Sequence, residues 1–148
     1  MSEELEAQES LALDFRNDAK SLVAVRDRVR EHLHDLGVDE TAVYAADLAL
    51  EELGGNTLRY GYDAGVEGSL RVAVTVAPAR VQLSIADDAR PFDPTQHPDP
   101  GPAHKLHDAV VGGRGIAMVR RAVRAMRYHR EGRGNRIDLD IPRAAPAS

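Results

Sequence analysis

Two runs of alternating apolar residues lie back to back near the middle of the chain, and they limit its possible folds more than any other feature. Leu70, Val72, Val74 and Val76 form the first run, and Val81, Leu83 and Ile85 the second. Successive side chains on a strand point to opposite faces, so each run reads as a strand with one buried face. Pro78-Ala79-Arg80 between them serves as the turn, and an antiparallel hairpin is expected. The intervening positions, such as Arg71, Thr75, Gln82 and Ser84, are polar enough to face water. A second hairpin is expected from Met126–Arg130 and Ile137, Leu139 and Ile141, turning around Glu131 to Gly134. Leu11, Leu13 and Phe15 alternate in the same way and suggest a first strand.

Between these strands the apolar period changes to that of a helix. Asn17 or Asp18 can cap a helix whose stripe is Leu22, Val25, Val29, Leu33 and Leu36, and Gly37 is placed to end it. Asp39 can cap a second helix that runs to about Tyr60, with Val43, Ala46, Leu50, Leu53 and Leu58 on its apolar side. Gly54-Gly55 interrupts that helix, either as a weak point or as a place where another group comes close. Residues 90–111 hold most of the prolines and read as a long loop. Gly112, Gly113 and Gly115 then open a third helix with Ile116, Val119 and Val123 inward. The order β-α-α-β-β-loop-α-β-β fits neither a strict βαβ alternation nor a bundle. It predicts an α+β two-layer sandwich: a mixed, mostly antiparallel sheet with helices on one face.

The 148 residues suit one domain. We expect it over 10–142, between an acidic tail (1–9) and a C-terminal tail (143–148). A net charge of −5 argues against a duplex nucleic-acid binder, and the scarcity of aromatics argues against a base-stacking platform. The absence of Cys excludes disulfides and thiolate zinc sites and fits a cytoplasmic location. No apolar run is long enough to cross a membrane.

Three segments can carry chemistry. Glu52 and Asn56 are four apart, so on a helix they project from one face. An amide oxygen suits a hydrated Mg²⁺, and a carboxylate beside it can serve as a base. Asp87 has the parity of Val81, Leu83 and Ile85, which turns its carboxylate toward the core unless the strand has already ended in a turn. A buried carboxylate needs a donor, and an adenine amino group is one. The segment Val111 to Ile116, VGGRGI, leads straight into a helix, where backbone N–H groups and Arg114 can meet a phosphate. It lacks the G-K-[ST] of a P-loop and follows no strand, as a dinucleotide fingerprint requires. His104 and His107 could hold a metal but have no further ligand at a supporting spacing. The seven arginines from Arg120 to Arg136 read as a solvated face or, alternatively, a docking patch.

In this order the motifs resemble the GHKL superfamily of ATP-binding domains (the Bergerat fold), and within it the anti-sigma-factor serine-protein kinases of RsbW type. ELGGN (Glu52 to Asn56) matches the N-box, DDARPFDP (Asp87 to Pro94) the second motif, and GGRGI (Gly112 to Ile116) the glycine box. GGRGIAMVRR and the RYHREGRGN hairpin are in the same style, and the resemblance runs from Leu11 to Ile141. Three places depart from the pattern: Ala89 replaces a usual Gly, Tyr60-Gly61 stands where His-Gly is common, and the Gly54-Gly55 pair is unusual.

The resemblance implies ATP and Mg²⁺ as cofactors. It implies Asn56 as the Mg²⁺ ligand, Glu52 as general base and Asp87 on the adenine amino group. Gly112, Gly113, Arg114 and Gly115 would wrap the phosphates, with residues 90–111 as a lid. The implied reaction is γ-phosphoryl transfer to a Ser or Thr of an antagonist protein, and the implied second partner is a sigma factor. No direct nucleic-acid or membrane contact is expected, and the open sheet face would be available for a homodimer. Two other readings share the ATP site: a non-catalytic nucleotide-dependent switch, and a histidine-kinase-like catalytic domain.

Overall fold

The computed structural model describes residues 9–96 and 113–145. The chain forms strand β1 (Glu9–Arg16) and helix α1 (Ala19–Asp35). Helix α2 (Glu40–Ala49) runs through a π-helical turn (Leu50–Gly54) into α3 (Gly55–Tyr60). Strands β2 (Ser69–Val76) and β3 (Arg80–Asp87) follow, then a short 3₁₀ turn (Pro94–Gln96). Helix α4 (Gly113–Ala122) precedes strands β4 (Ala125–Glu131) and β5 (Gly134–Pro142). All three sequence-predicted helices and all five strands are present.

The sheet order is β1-β2-β3-β5-β4. Every described pairing is antiparallel. The expected mixed sheet is therefore antiparallel throughout the described residues. The reason is topological: β5 returns between β3 and β4, so strands of like direction are always separated by one running the other way. The alternation in sequence sets the register. Val72, Val74, Leu83, Ile85 and Leu139 face one side and are almost fully buried. They meet Leu22, Val25, Val29 and Leu33 of α1, Val43 and Ala46 of α2, and Ile116 and Val119 of α4 in one core. Each such side chain contributes roughly 1.5–3 kcal/mol on burial.

The opposite face of the sheet carries polar pairs instead. Arg71 reaches Asp14 at 3.5 Å, and Ser10 meets Thr75 at 3.3 Å. Asp138 accepts from Ser84 and Arg136, and His129 lies 3.2 Å away. Desolvation pulls the Asp138 carboxyl upward, but these donors and charges outweigh it and leave it below the ordinary carboxylate range.

The caps fall where the sequence offered them. Asp18 accepts from the Ser21 amide at 2.7 Å, while Asn17 instead ties down Val66 and Gly68. Asp39 accepts from the Ala42 amide at 3.3 Å, and Gly37 adopts φ +71° beyond α1. Between the helices, Asp47 takes both forks of Arg26 at 3.0 Å and Arg30 at 2.9 Å. Hydrogen bonding to Asp47 raises the Arg26 guanidinium above its usual value. This ionic seam fixes α1 against α2 one turn before the functional segment.

Candidate functional site

The second helix is not regular through its most informative stretch. Residues 50–54 form a π turn, so Glu52 and Asn56 sit where the helix widens rather than on an even α-helical face. The interruption satisfies both readings of Gly54-Gly55. The helix is irregular there, and a Cβ on Gly54 would lie 3.0 Å from Leu22 of α1, so its absence lets α1 come close. A Cβ on Gly55 would lie 3.1 Å from the Arg59 guanidinium.

Asn56 is buried, at 6% exposure, and its Oδ1 accepts from Arg59 Nη2 at 2.9 Å. The oxygen expected to bind Mg²⁺ thus has a cation on it already. Glu52 is half-buried one turn earlier. Its carboxylate rests directly on Gly115: a Cβ there would fall 1.6 Å from Oε1. The π turn and the first turn of α4 therefore touch through a carboxylate against a bare glycine backbone. Arg114 Nη2, beside it, is buried and has no hydrogen-bond partner among the described residues. Gly113 begins α4, and Gly112 lies outside the described residues.

Asp87 ends β3 on the core side, as its parity predicts. Its Oδ1 accepts from the Ala89 amide at 3.0 Å and from Asn135 Nδ2 at 2.8 Å. Its Oδ2 lies 3.4 Å from the Thr57 hydroxyl. Asp87 and Asn56 both line a cavity of about 240 Å³, walled by Leu53, Ile85, Ala89 and Ile137. Tyr60 and Phe92 also line it, and both are partly exposed. Ala89 takes its place because Gly61 has no side chain: a Cβ on Gly61 would come within 2.7 Å of the Ala89 methyl. Asp88, next in the chain, is structural. It accepts from the Tyr62 hydroxyl at 2.6 Å and the Ser69 amide at 3.0 Å. Burial, then that hydrogen bond, pushes the Tyr62 hydroxyl well up. The same donors outweigh desolvation at Asp88 and lower its carboxyl.

The segment leaving Asp87 is held by side chains to which sequence reasoning assigned no such role. Asn135 of β5 donates to the Arg90 carbonyl at 2.9 Å, and Arg130 of β4 to the Ala89 carbonyl at 3.0 Å. Arg120 of α4 donates to the carbonyls of Pro94 at 2.8 Å and Thr95 at 2.7 Å. Residues 90–96, expected as the start of a lid, are thus a bonded wall. The rest of that stretch, with His97, His104 and His107, lies outside the described residues. Three of the arginines expected as a solvated face, Arg120, Arg130 and Arg136, have protein acceptors. Only partners among the folded elements identify such residues, and sequence carries no signal for them.

These features fit a magnesium nucleotide. An apolar slot with a carboxylate at its end suits an amino-bearing base. The orphaned Arg114 donor and the glycine-lined start of α4 suit phosphate oxygens. Asn56 offers a hard oxygen to a metal once Arg59 moves aside. No group of three metal-ligating side chains occurs among the described residues, so such an ion would depend on phosphate and water for its other ligands.

Comparison with known proteins points the same way. Residues 15–141 match the family model described as histidine kinase-like ATPase domain. The chain is 32% identical over 126 residues to the serine/threonine-protein kinase BtrW of Bordetella bronchiseptica, across 85% of this chain and 82% of that protein. Its fold is similar to the crystal structure of the RsbU and RsbW domains of Rv1364c from Mycobacterium tuberculosis, with a TM-score of 0.66 and 22% identity. That match covers 94% of this chain and 34% of the longer one.

Proposed function

The chain belongs to the histidine kinase-like ATPase domain family, and on that premise we propose a kinase of RsbW type: an ATP-dependent protein serine/threonine kinase that also sequesters a sigma factor. Its substrate is a Ser or Thr hydroxyl of an antagonist protein. The observation that carries this reading is the meeting of the π turn and α4. It sets Glu52 against Gly115, next to Asn56 and to the slot that ends in Asp87.

Each residue then has one task. The apolar walls take the base, and Asp87 Oδ2 accepts from its amino group. Asn56 presents its amide oxygen once Arg59 swings toward the phosphates, and Arg114 and the α4 amides meet phosphate oxygens. Glu52, at the junction, accepts the proton of the incoming hydroxyl. Bound Mg·ATP supplies the transferable γ-phosphoryl group and the charge neutralisation it needs. A second reading, a nucleotide-dependent interaction switch with little turnover, draws support from Arg59, which occupies Asn56 Oδ1.

The test is incubation with γ-labelled Mg·ATP and the proteins that co-purify with the chain. Acid-stable label on Ser or Thr, lost with Glu52→Gln, is the expected result. Acid-labile label would indicate a phosphohistidine, and nucleotide binding without any label would favour the switch.

A further inference from the structure

Asn135 is an unusual residue to find inside a sheet. Asn is depleted in strands, and this one is 6% exposed on β5, opposite Asp87 of β3. Every polar atom of its amide is used. Nδ2 donates to Asp87 Oδ1 at 2.8 Å and to the Arg90 carbonyl at 2.9 Å, with the Ala89 carbonyl at 3.4 Å. Oδ1 accepts from the Tyr128 hydroxyl at 2.5 Å, the Phe92 amide at 3.2 Å and Arg130 Nη1 at 3.3 Å. The partners of Nδ2 are all acceptors, and those of Oδ1 can all donate. The amide therefore has one orientation only, since a flip would set like against like on both sides.

We propose that Asn135 is the positioning residue that sets base specificity in the cavity, and that Tyr128 and Arg130 act through it. The inference rests on the nucleotide-site reading and deepens it. Asp87 has two oxygens, and Asn135 and the Ala89 amide saturate Oδ1. That leaves Oδ2, which among the described residues meets only the distant Thr57 hydroxyl, as the open acceptor beside the slot. A carboxylate pinned this way accepts from a 6-amino purine and repels a 6-oxo purine, whose oxygen has no proton to give. Without Asn135 the carboxylate can rotate and the discrimination fades. The backbone also shows how closely β5 is applied to this point: a Cβ on Gly134 would fall 1.8 Å from the Asp87 carbonyl oxygen.

The experiment is calorimetric titration of Mg·ATP and Mg·ITP into wild type, Asn135→Leu, Asn135→Ser and Tyr128→Phe, with a thermal melt of each. ITP replaces the 6-amino group with a 6-oxo group, with N1 protonated beside it, and so reports the slot without the amino contact. In Asn135→Leu we expect ATP affinity to fall about tenfold or more while ITP affinity stays within about twofold, so the ATP/ITP preference collapses. Asn135→Ser, which keeps a donor, retains part of the preference, and Tyr128→Phe lowers it less. If Asn135→Leu fails to fold, the Ser and Phe variants carry the test. Equal losses for both nucleotides, or an unchanged ratio in folded variants, would overturn the proposal. Failure of wild type to bind either nucleotide would instead remove the site itself.

Discussion

At the proposed base end of the site, Asp87 and the wall behind it are already bonded within the protein: three side chains from β4, β5 and α4 hold the carbonyls of Ala89, Arg90, Pro94 and Thr95. At the proposed phosphate end the polar groups of the described residues are unspent or carry a substitute. Arg114 Nη2 has no hydrogen-bond partner among the described residues, and Asn56 Oδ1 is occupied by Arg59. On the proposed function, a preformed base slot would cost little ordering on binding, whereas the phosphate end would exchange one cation contact for another. In that case binding energy from the base would drive the rearrangement that transfer needs.

Substitutions at the two ends should separate these roles. The largest effect is expected from Glu52→Gln: phosphorylation falls by about 10²–10⁴-fold, while Mg·ATP affinity holds, both read from single-turnover transfer and calorimetry. Phosphorylation at the wild-type rate would remove Glu52 as the base. Asn56→Ala should abolish the Mg²⁺-dependent part of nucleotide binding, measured by titrating ATP with and without the metal. Asp87→Asn should weaken ATP by roughly 10–100-fold, the loss of one hydrogen bond to a charged acceptor, with little change in melting temperature. Equal ATP affinity in that variant would refute the adenine role. Gly115→Ala should spare binding but slow transfer, because the new methyl displaces the Glu52 carboxylate.

The smallest effect belongs to the support under the base end. Asp88 titrates below the ordinary 3.8 in the folded chain. Its contribution to stability is therefore present above that pH and is lost as pH falls through the folded value. The stability gap between wild type and Tyr62→Phe should be widest above pH 3.8 and close on further acidification, in acid unfolding followed by circular dichroism. Because Asp88 is exposed, solvent screens much of the effect. A gap that persists unchanged at low pH would show that Tyr62 acts by packing alone.

What the sequence could and could not reveal divides along the same line. The strands were legible because period-two alternation needs no partner to be read, and the caps Asp18 and Asp39 because capping is local. Glu52, Asn56 and Asp87 could be picked out as candidates because each sits at a position that its own element's period suggests, although the π turn takes Glu52 and Asn56 off an even α-helical face. The π turn was hidden, since spacings of four and five residues look alike in a short apolar run. Asn135, Arg120 and Arg130 were hidden for a different reason. Their partners are backbone carbonyls about 25 to 46 residues away in sequence, which only the folded sheet brings near. The arginines looked like a solvated face because a charge run gives no sign of where its acceptors are.

The most direct test of the account is calorimetric titration of the purified wild-type chain with Mg·ATP, with Asp87→Asn alongside. The account predicts stoichiometric binding by wild type and strongly weakened binding by a variant that melts at a similar temperature. A folded wild-type chain that takes up no nucleotide would contradict it.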